Sequence, residues 1–64
     1  MYKVRYCLDF IDYDKRGEIM CDTMKEASKV ASSMVRWGMW NGAQGGTSFA
    51  SVYKNNEFVL CFNG

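Results

Sequence analysis

Cys7, Cys21 and Cys61 are the residues of this chain best equipped for nucleophilic or metal chemistry, and no histidine accompanies them. A thiol or hydroxyl nucleophile is ordinarily activated by a neighbouring imidazole, so Cys-His and Ser-His pairs are excluded within one chain. The same absence excludes zinc sites that use histidine, and the three thiols lack the close pairs of a zinc finger. An odd, scattered set does not make a secreted disulfide framework either. The thiols therefore read as small buried hydrophobes of a cytoplasmic protein.

Carboxylates come next. Asp12, Asp14, Gly17 and Ile19 resemble the beginning of an EF-hand calcium loop, but Arg16 stands where an oxygen ligand belongs and Thr23 where the bidentate glutamate belongs. Aspartate and glycine form turns on their own account, and an acidic turn explains the same residues. Six of the seven acids lie between Asp9 and Glu26. Such a run would imitate a phosphate backbone in the basic groove of a target, or keep an edge strand soluble. Lys15, Arg16 and Lys25 interrupt it, and a net charge of +1 leaves no long-range field. Gly42, Gly45 and Gly46 lack the Lys-Ser/Thr ending and the preceding strand of a phosphate-binding loop. No catalytic constellation, metal or cofactor is expected, and the chain reads as a non-enzyme.

What remains are surfaces, and these depend on the elements that carry them. Residues 1–64 make a single domain, and 48% hydrophobic with 16% aromatic content argues for a folded core. No run approaches the length of a membrane span, and the alternating first twenty residues are unlike a signal peptide. Tyr2, Val4, Tyr6, Leu8 and Phe10 alternate with Lys3, Arg5, Cys7, Asp9 and Ile11, the pattern of a half-buried strand. A turn from Asp12 to Gly17, with Gly17 at positive φ, leads to a short second strand, Glu18 to Cys21. Thr23 and Glu26 form a capping box for a helix from Met24 to Trp37, which Gly38 terminates. Ala27, Val30, Ala31, Met34 and Trp37 make its apolar stripe. Two more strands pair around Asn55-Asn56, whose residue type tolerates positive φ. The expected fold is α+β, in the order β-β-α-β-β: a four-stranded antiparallel sheet with one helix packed on one face.

Register decides which side chains the helix covers. A regular hairpin places Tyr53 opposite Phe58, Ser51 opposite Leu60 and Phe49 opposite Phe62, with Lys54 meeting Glu57. Those aromatics join the Tyr2–Phe10 face as the expected core, with Trp37 added from the helix. The uncovered face then holds Cys7, Ile11, Ala50, Val52, Val59 and Cys61 inside a charged rim of Lys3, Arg5, Asp9, Lys54 and Glu57. Exposed apolar patches of this type mark association sites.

Two features carry the functional expectation: that face, with Cys7, Val52 and Val59, and the loop Met39-Trp40-Asn41, where large apolar side chains sit beside glycines. Together they point to a small non-enzymatic binding protein acting by protein–protein contact and self-associating through the open face or an edge strand. In size and shape the chain resembles the tiny stand-alone proteins of phages and mobile elements, some of which inhibit host defence complexes as anti-CRISPR proteins do. That resemblance implies stoichiometric binding to a larger target. A nucleic-acid-binding module using Lys3, Arg5, Lys25, Lys29 and Arg36 is the competing expectation, with weak, salt-sensitive affinity. A structural subunit of a larger assembly is the third.

Overall fold

The computed structural model describes all 64 residues. Strands β1 (Tyr2–Asp9) and β2 (Asp14–Cys21) precede helix α1 (Met24–Trp40), and strands β3 (Phe49–Lys54) and β4 (Glu57–Asn63) follow it. All four strands are antiparallel, in the spatial order β2-β1-β3-β4. The helix lies over one face, mainly on β1 and β3. This is the expected β-β-α-β-β architecture.

The first hairpin is tighter than the sequence suggests. β2 begins at Asp14 rather than Glu18, and the reversal is confined to Phe10–Tyr13, closed by a bond from Phe10 N to Tyr13 O of 2.9 Å. Gly17 is not a turn residue: it lies within β2 opposite Tyr6, and a Cβ there would fall within 3.0 Å of the Tyr6 ring. An aromatic laid over a glycine in an edge strand covers backbone that would otherwise be left open. The residue at positive φ is Ile11, at 69°.

The helix starts as its capping box requires. Glu26 N donates to Thr23 Oγ1 at 3.1 Å, and the Glu26 carboxylate reaches one residue past the N-cap, accepting from Asp22 N at 3.3 Å. It does not stop at Gly38. Gly38 is buried inside α1, where a Cβ would stand 2.9 Å from a Leu8 methyl carbon. Gly42, at φ 94°, is the left-handed terminator; Gly42 N bonds to Met39 O and Ala43 N to Gly38 O, satisfying carbonyls of the last turn. The buried stripe is accordingly Ala27, Ala31, Val35 and Gly38. Trp37 lies on the flank of this stripe and is 44% exposed, not a core residue.

The second hairpin turns at Asn55 (φ 51°) and Asn56 (φ 68°), the two positive φ values of a type I′ turn. Tyr53 faces Phe58 and Lys54 faces Glu57 as the regular register requires. Beyond that, a β-bulge leaves Val59 without a partner, so Leu60 faces Val52, Cys61 faces Ser51 and Phe62 faces Ala50. The extra residue shifts the rest of the ladder by one. Ala50 and Val52, opposite Tyr6 and Val4 of β1, lie under the helix, both fully buried, and the bulge brings Leu60 and Phe62 to the same side beside them. Phe49 and Tyr53 face the open side together with Phe58, which corrects their expected place in the core. Eight apolar side chains are buried, three of them alanine, so the core is thin and the helix sits close to the sheet.

Substitution at the two kinds of glycine tests this packing. Gly38→Val drives a branched side chain into Leu8 and is expected to cost about 1–3 kcal/mol, after allowing for the helix propensity it gains. Gly46→Ala meets nothing within 4 Å and leaves the denaturation midpoint unchanged to within about 0.5 kcal/mol. A more stable Gly38→Val variant would contradict the close helix–sheet seat.

Candidate protein-interaction site

Asp9, at the end of β1, organises one end of the molecule. Its carboxylate accepts from Thr47 Oγ1 at 2.7 Å, from Ile11 N at 3.0 Å and from Gln44 Nε2 at 3.4 Å. Its main chain bonds to the same crossover, with Asp9 N donating to Ser48 Oγ at 3.0 Å and Asp9 O accepting from Gln44 N at 2.7 Å. The Thr47 hydroxyl and then the Ile11 amide hold the Asp9 carboxyl below the usual carboxylate range, against a smaller opposing effect of burial. The bond to Ile11 N fixes the reversal that follows. Asp12 N donates to Phe10 O at 2.6 Å, so Ile11 sits at the apex of a γ-turn with positive φ. A β-branched residue there costs about 1–3 kcal/mol of strain, and Ile11 is nevertheless 75% exposed.

Beside this reversal, Phe10 joins the tight hairpin to the end of α1 in an aromatic cluster. Phe10 stacks on Tyr13 with ring centroids 5.2 Å apart and meets Trp37 edge-on at 5.9 Å. Trp40 stands one helical turn beyond Trp37 and is 80% exposed. It lies about 2.5 turns past buried Ala31 and so points directly away from the sheet. A largely apolar groove of about 500 Å³ adjoins Trp37, lined by Val30 and Met34 with Lys15 and Lys29 at its margin.

The open sheet face is a second surface. Phe49, Tyr53 and Phe58 share it with Cys7, Cys61, Lys3, Arg5, Arg16 and Glu18. Tyr53 and Phe58 meet edge-on at 5.9 Å, and Lys3 Nζ lies 5.8 Å from the Tyr53 ring centre. Arg5, Cys7, Arg16, Glu18, Phe49 and Tyr53 border a shallow depression of about 600 Å³. Its cations are partly neutralised: Lys3 pairs with Glu18 at 3.6 Å and Arg16 with Asp14 at 2.8 Å. The Asp14 bond, then neighbouring Cys7, holds the Arg16 guanidinium more firmly protonated.

No known protein family, curated protein or solved structure matches this chain.

The residues singled out from sequence are therefore dispersed. Trp40 is exposed, but on the last turn of α1 rather than in a loop. Met39 is half-buried against the core and Gly64, and Asn41 caps the helix, its side-chain amide donating to Trp37 O at 2.7 Å. Cys7 is half-buried on the open face, and Val59 stands out at the bulge. Val52 is not on that face: it pairs with Val4 of β1 and shares its buried, helix-covered side. Lys3 and Arg5 lie on the open face, whereas Lys25, Lys29 and Arg36 belong to the helix on the opposite side, so these five cations do not form one surface. Asp14, the second acid of the calcium-like run, is paired with Arg16, and no group of three or more acids or thiols converges. No helix is long and apolar enough to cross a membrane. Ile11, expected on the uncovered sheet face, sits instead in the reversal beyond β1, and Phe58, expected in the core, is exposed; the sequence gives no role to Tyr13, whose signal is apolar bulk within a turn.

Two measurements check this arrangement. Because the Asp9 carboxyl is lowered in the folded state, its contribution is full above the usual aspartate range and is lost as pH falls through the lowered value. Asp9→Asn is expected to be less stable than wild type at neutral pH, with the gap narrowing as the pH falls below the usual aspartate range; a gap that does not change with acidification would contradict the role. Thiol labelling of the native protein is expected to reach exposed Cys61 first and Cys21 last. Burial, and then the nearby Glu26 and Asp22, push the Cys21 thiol up, so it reacts only on unfolding.

Proposed function

We propose that this chain is a small non-enzymatic binding protein that acts by stoichiometric contact with a larger protein, and that its recognition surface is the aromatic end. The observation that carries this reading is the strained, outward-facing Ile11, held by Asp9 next to Phe10, whose ring meets Tyr13 and Trp37, with Trp40 exposed on the last turn of α1. An exposed isoleucine at positive φ stabilises nothing inside the monomer. Tryptophan and tyrosine are the side chains most enriched at binding hot spots, where they bring large rigid area at low entropic cost. The groove beside Trp37 offers a seat for one apolar side chain of a partner, and Lys15 and Lys29 give it a basic margin. Inhibition of a host defence complex is one action such a contact would serve.

Capture from the native host tests the reading. Trp40→Ala and Ile11→Asn are expected to weaken capture of the partner by about 30-fold or more each, as for hot-spot residues worth about 2 kcal/mol. Neither substitution lowers the unfolding midpoint, since Trp40 packs on nothing in the core and asparagine tolerates positive φ better than isoleucine. Wild-type capture by both variants would remove the aromatic end from consideration.

The open face supports a second reading, single-stranded nucleic-acid binding, because Phe49, Tyr53 and Phe58 lie there with Lys3, Arg5 and Arg16. Such platforms stack bases on aromatics and track phosphates with cations. Anisotropy of labelled single-stranded DNA and RNA is then expected to fall steeply with added salt and to be lost in Arg5→Ala. Absence of binding at low salt dismisses it.

A further inference from the structure

The two edges of the sheet differ in chemistry. β2 carries Asp14, Lys15, Arg16 and Glu18 along its length, and edge charges of this kind discourage pairing with another chain. β4 has one charge, Glu57 at its start, and then runs Phe58-Val59-Leu60-Cys61-Phe62-Asn63 without charge or proline. Phe58 is 60% exposed on the open side, and Val59 and Cys61 are exposed beside it. On the helix side, Leu60 and Phe62 are only half-buried, because α1 sits over β1 and β3 and reaches β4 with its flank.

The main chain of β4 is also prepared for a neighbour. Gly64 N donates to Ser48 O at 3.1 Å, one pair beyond Phe49 and Asn63. Inward and outward bonding alternate along an antiparallel ladder, so the Phe62 and Ala50 pair bonds inward while the polar groups of Cys61 and Asn63 point away from β3. We infer that β4 pairs antiparallel with β4 of a second copy, about a two-fold axis between the two Phe62 residues. In that register Cys61 of each copy faces Asn63 of the other, which satisfies all four outward amides and carbonyl pairs at once. Phe62 meets Phe62 on the helix side, an aromatic cross-strand pair that covers the rings α1 leaves half open. No like charges are opposed, which a second copy of a charged edge such as β2 would not achieve. The axis closes the assembly at two chains and an eight-stranded sheet, whereas β4 on β2 would propagate without end. This contact uses neither the aromatic end nor any residue of it, so the two readings stand or fall separately.

Sedimentation equilibrium from about 10 μM to about 1 mM, joined to amide hydrogen exchange at both limits, tests the pairing. The expected result is a monomer–dimer equilibrium in which the Cys61 and Asn63 amides exchange freely when dilute and are protected when concentrated. Asn63→Pro removes an outward donor, and Cys61→Lys brings a charge to the pairing register; each is expected to weaken dimerisation at least about tenfold while the dilute monomer keeps its unfolding midpoint. A wild-type chain that stays monomeric throughout overturns the inference. So does a dimer whose Cys61 and Asn63 amides still exchange freely, which reads independently of how well either variant folds.

Discussion

The close approach of α1 to β1 is the constraint on which the rest of the molecule depends. Ala27, Ala31 and Gly38 bring the helix backbone down on the sheet, with Leu8 filling the space that any side chain at position 38 would need. A low seat of this kind is narrow. It buries the central strands and leaves β4 and the flank of the helix half covered, so the apolar residues there remain at the surface. A 64-residue chain has few residues with which to widen such a core, and its three cysteines form no disulfide. Thin packing and sticky borders are thus two results of one geometric choice.

The sequence makes the element order legible because its strongest signals are local. Alternation from Tyr2 to Asp9, the Thr23–Glu26 box and the Asn55-Asn56 turn each act over a few residues, and each is realised. The helix end is different. Two glycines near its terminus, Gly38 and Gly42, both suit a left-handed stop, and local propensity favours the first. What decides is tertiary: Gly38 falls on the same helical face as Ala31, two turns on, where Leu8 requires a missing side chain. Trp37 is then carried to the flank and Trp40 to the outer face.

Face assignment fails at one residue for a related reason. Nothing in Phe58-Val59-Leu60 announces a bulge, since all three are good strand formers. With a regular ladder the aromatics Phe49 and Tyr53 would share a face with Leu60 and Phe62; with Val59 left over, they separate. The pairing of β3 with β1 puts Ala50 and Val52 beneath the helix and Phe49 and Tyr53 on the open face, and the bulge carries Leu60 and Phe62 to the helix side. The candidate nucleic-acid surface and the loss of Val52 from the apolar patch both follow from that pairing.

The strained reversal at Ile11 and the neutral edge β4 belong to different strands of the sheet, and this bears on the two proposed contacts. Strand order β2-β1-β3-β4 sets the first hairpin two strands away from β4, so pairing of two copies through β4 leaves both aromatic ends on the outer flanks. If the aromatic end recognises a partner as proposed, such a pair would present two copies of it on one sheet. If each binds weakly, a target with two matching sites is held far more tightly than either contact alone would allow, because the second binding step becomes intramolecular. A single small chain with a thin core cannot build a large interface. Joining two through an edge that contributes nothing to recognition enlarges the bound surface without enlarging the fold, and a neutral strand left uncovered by a narrow helix suits that arrangement.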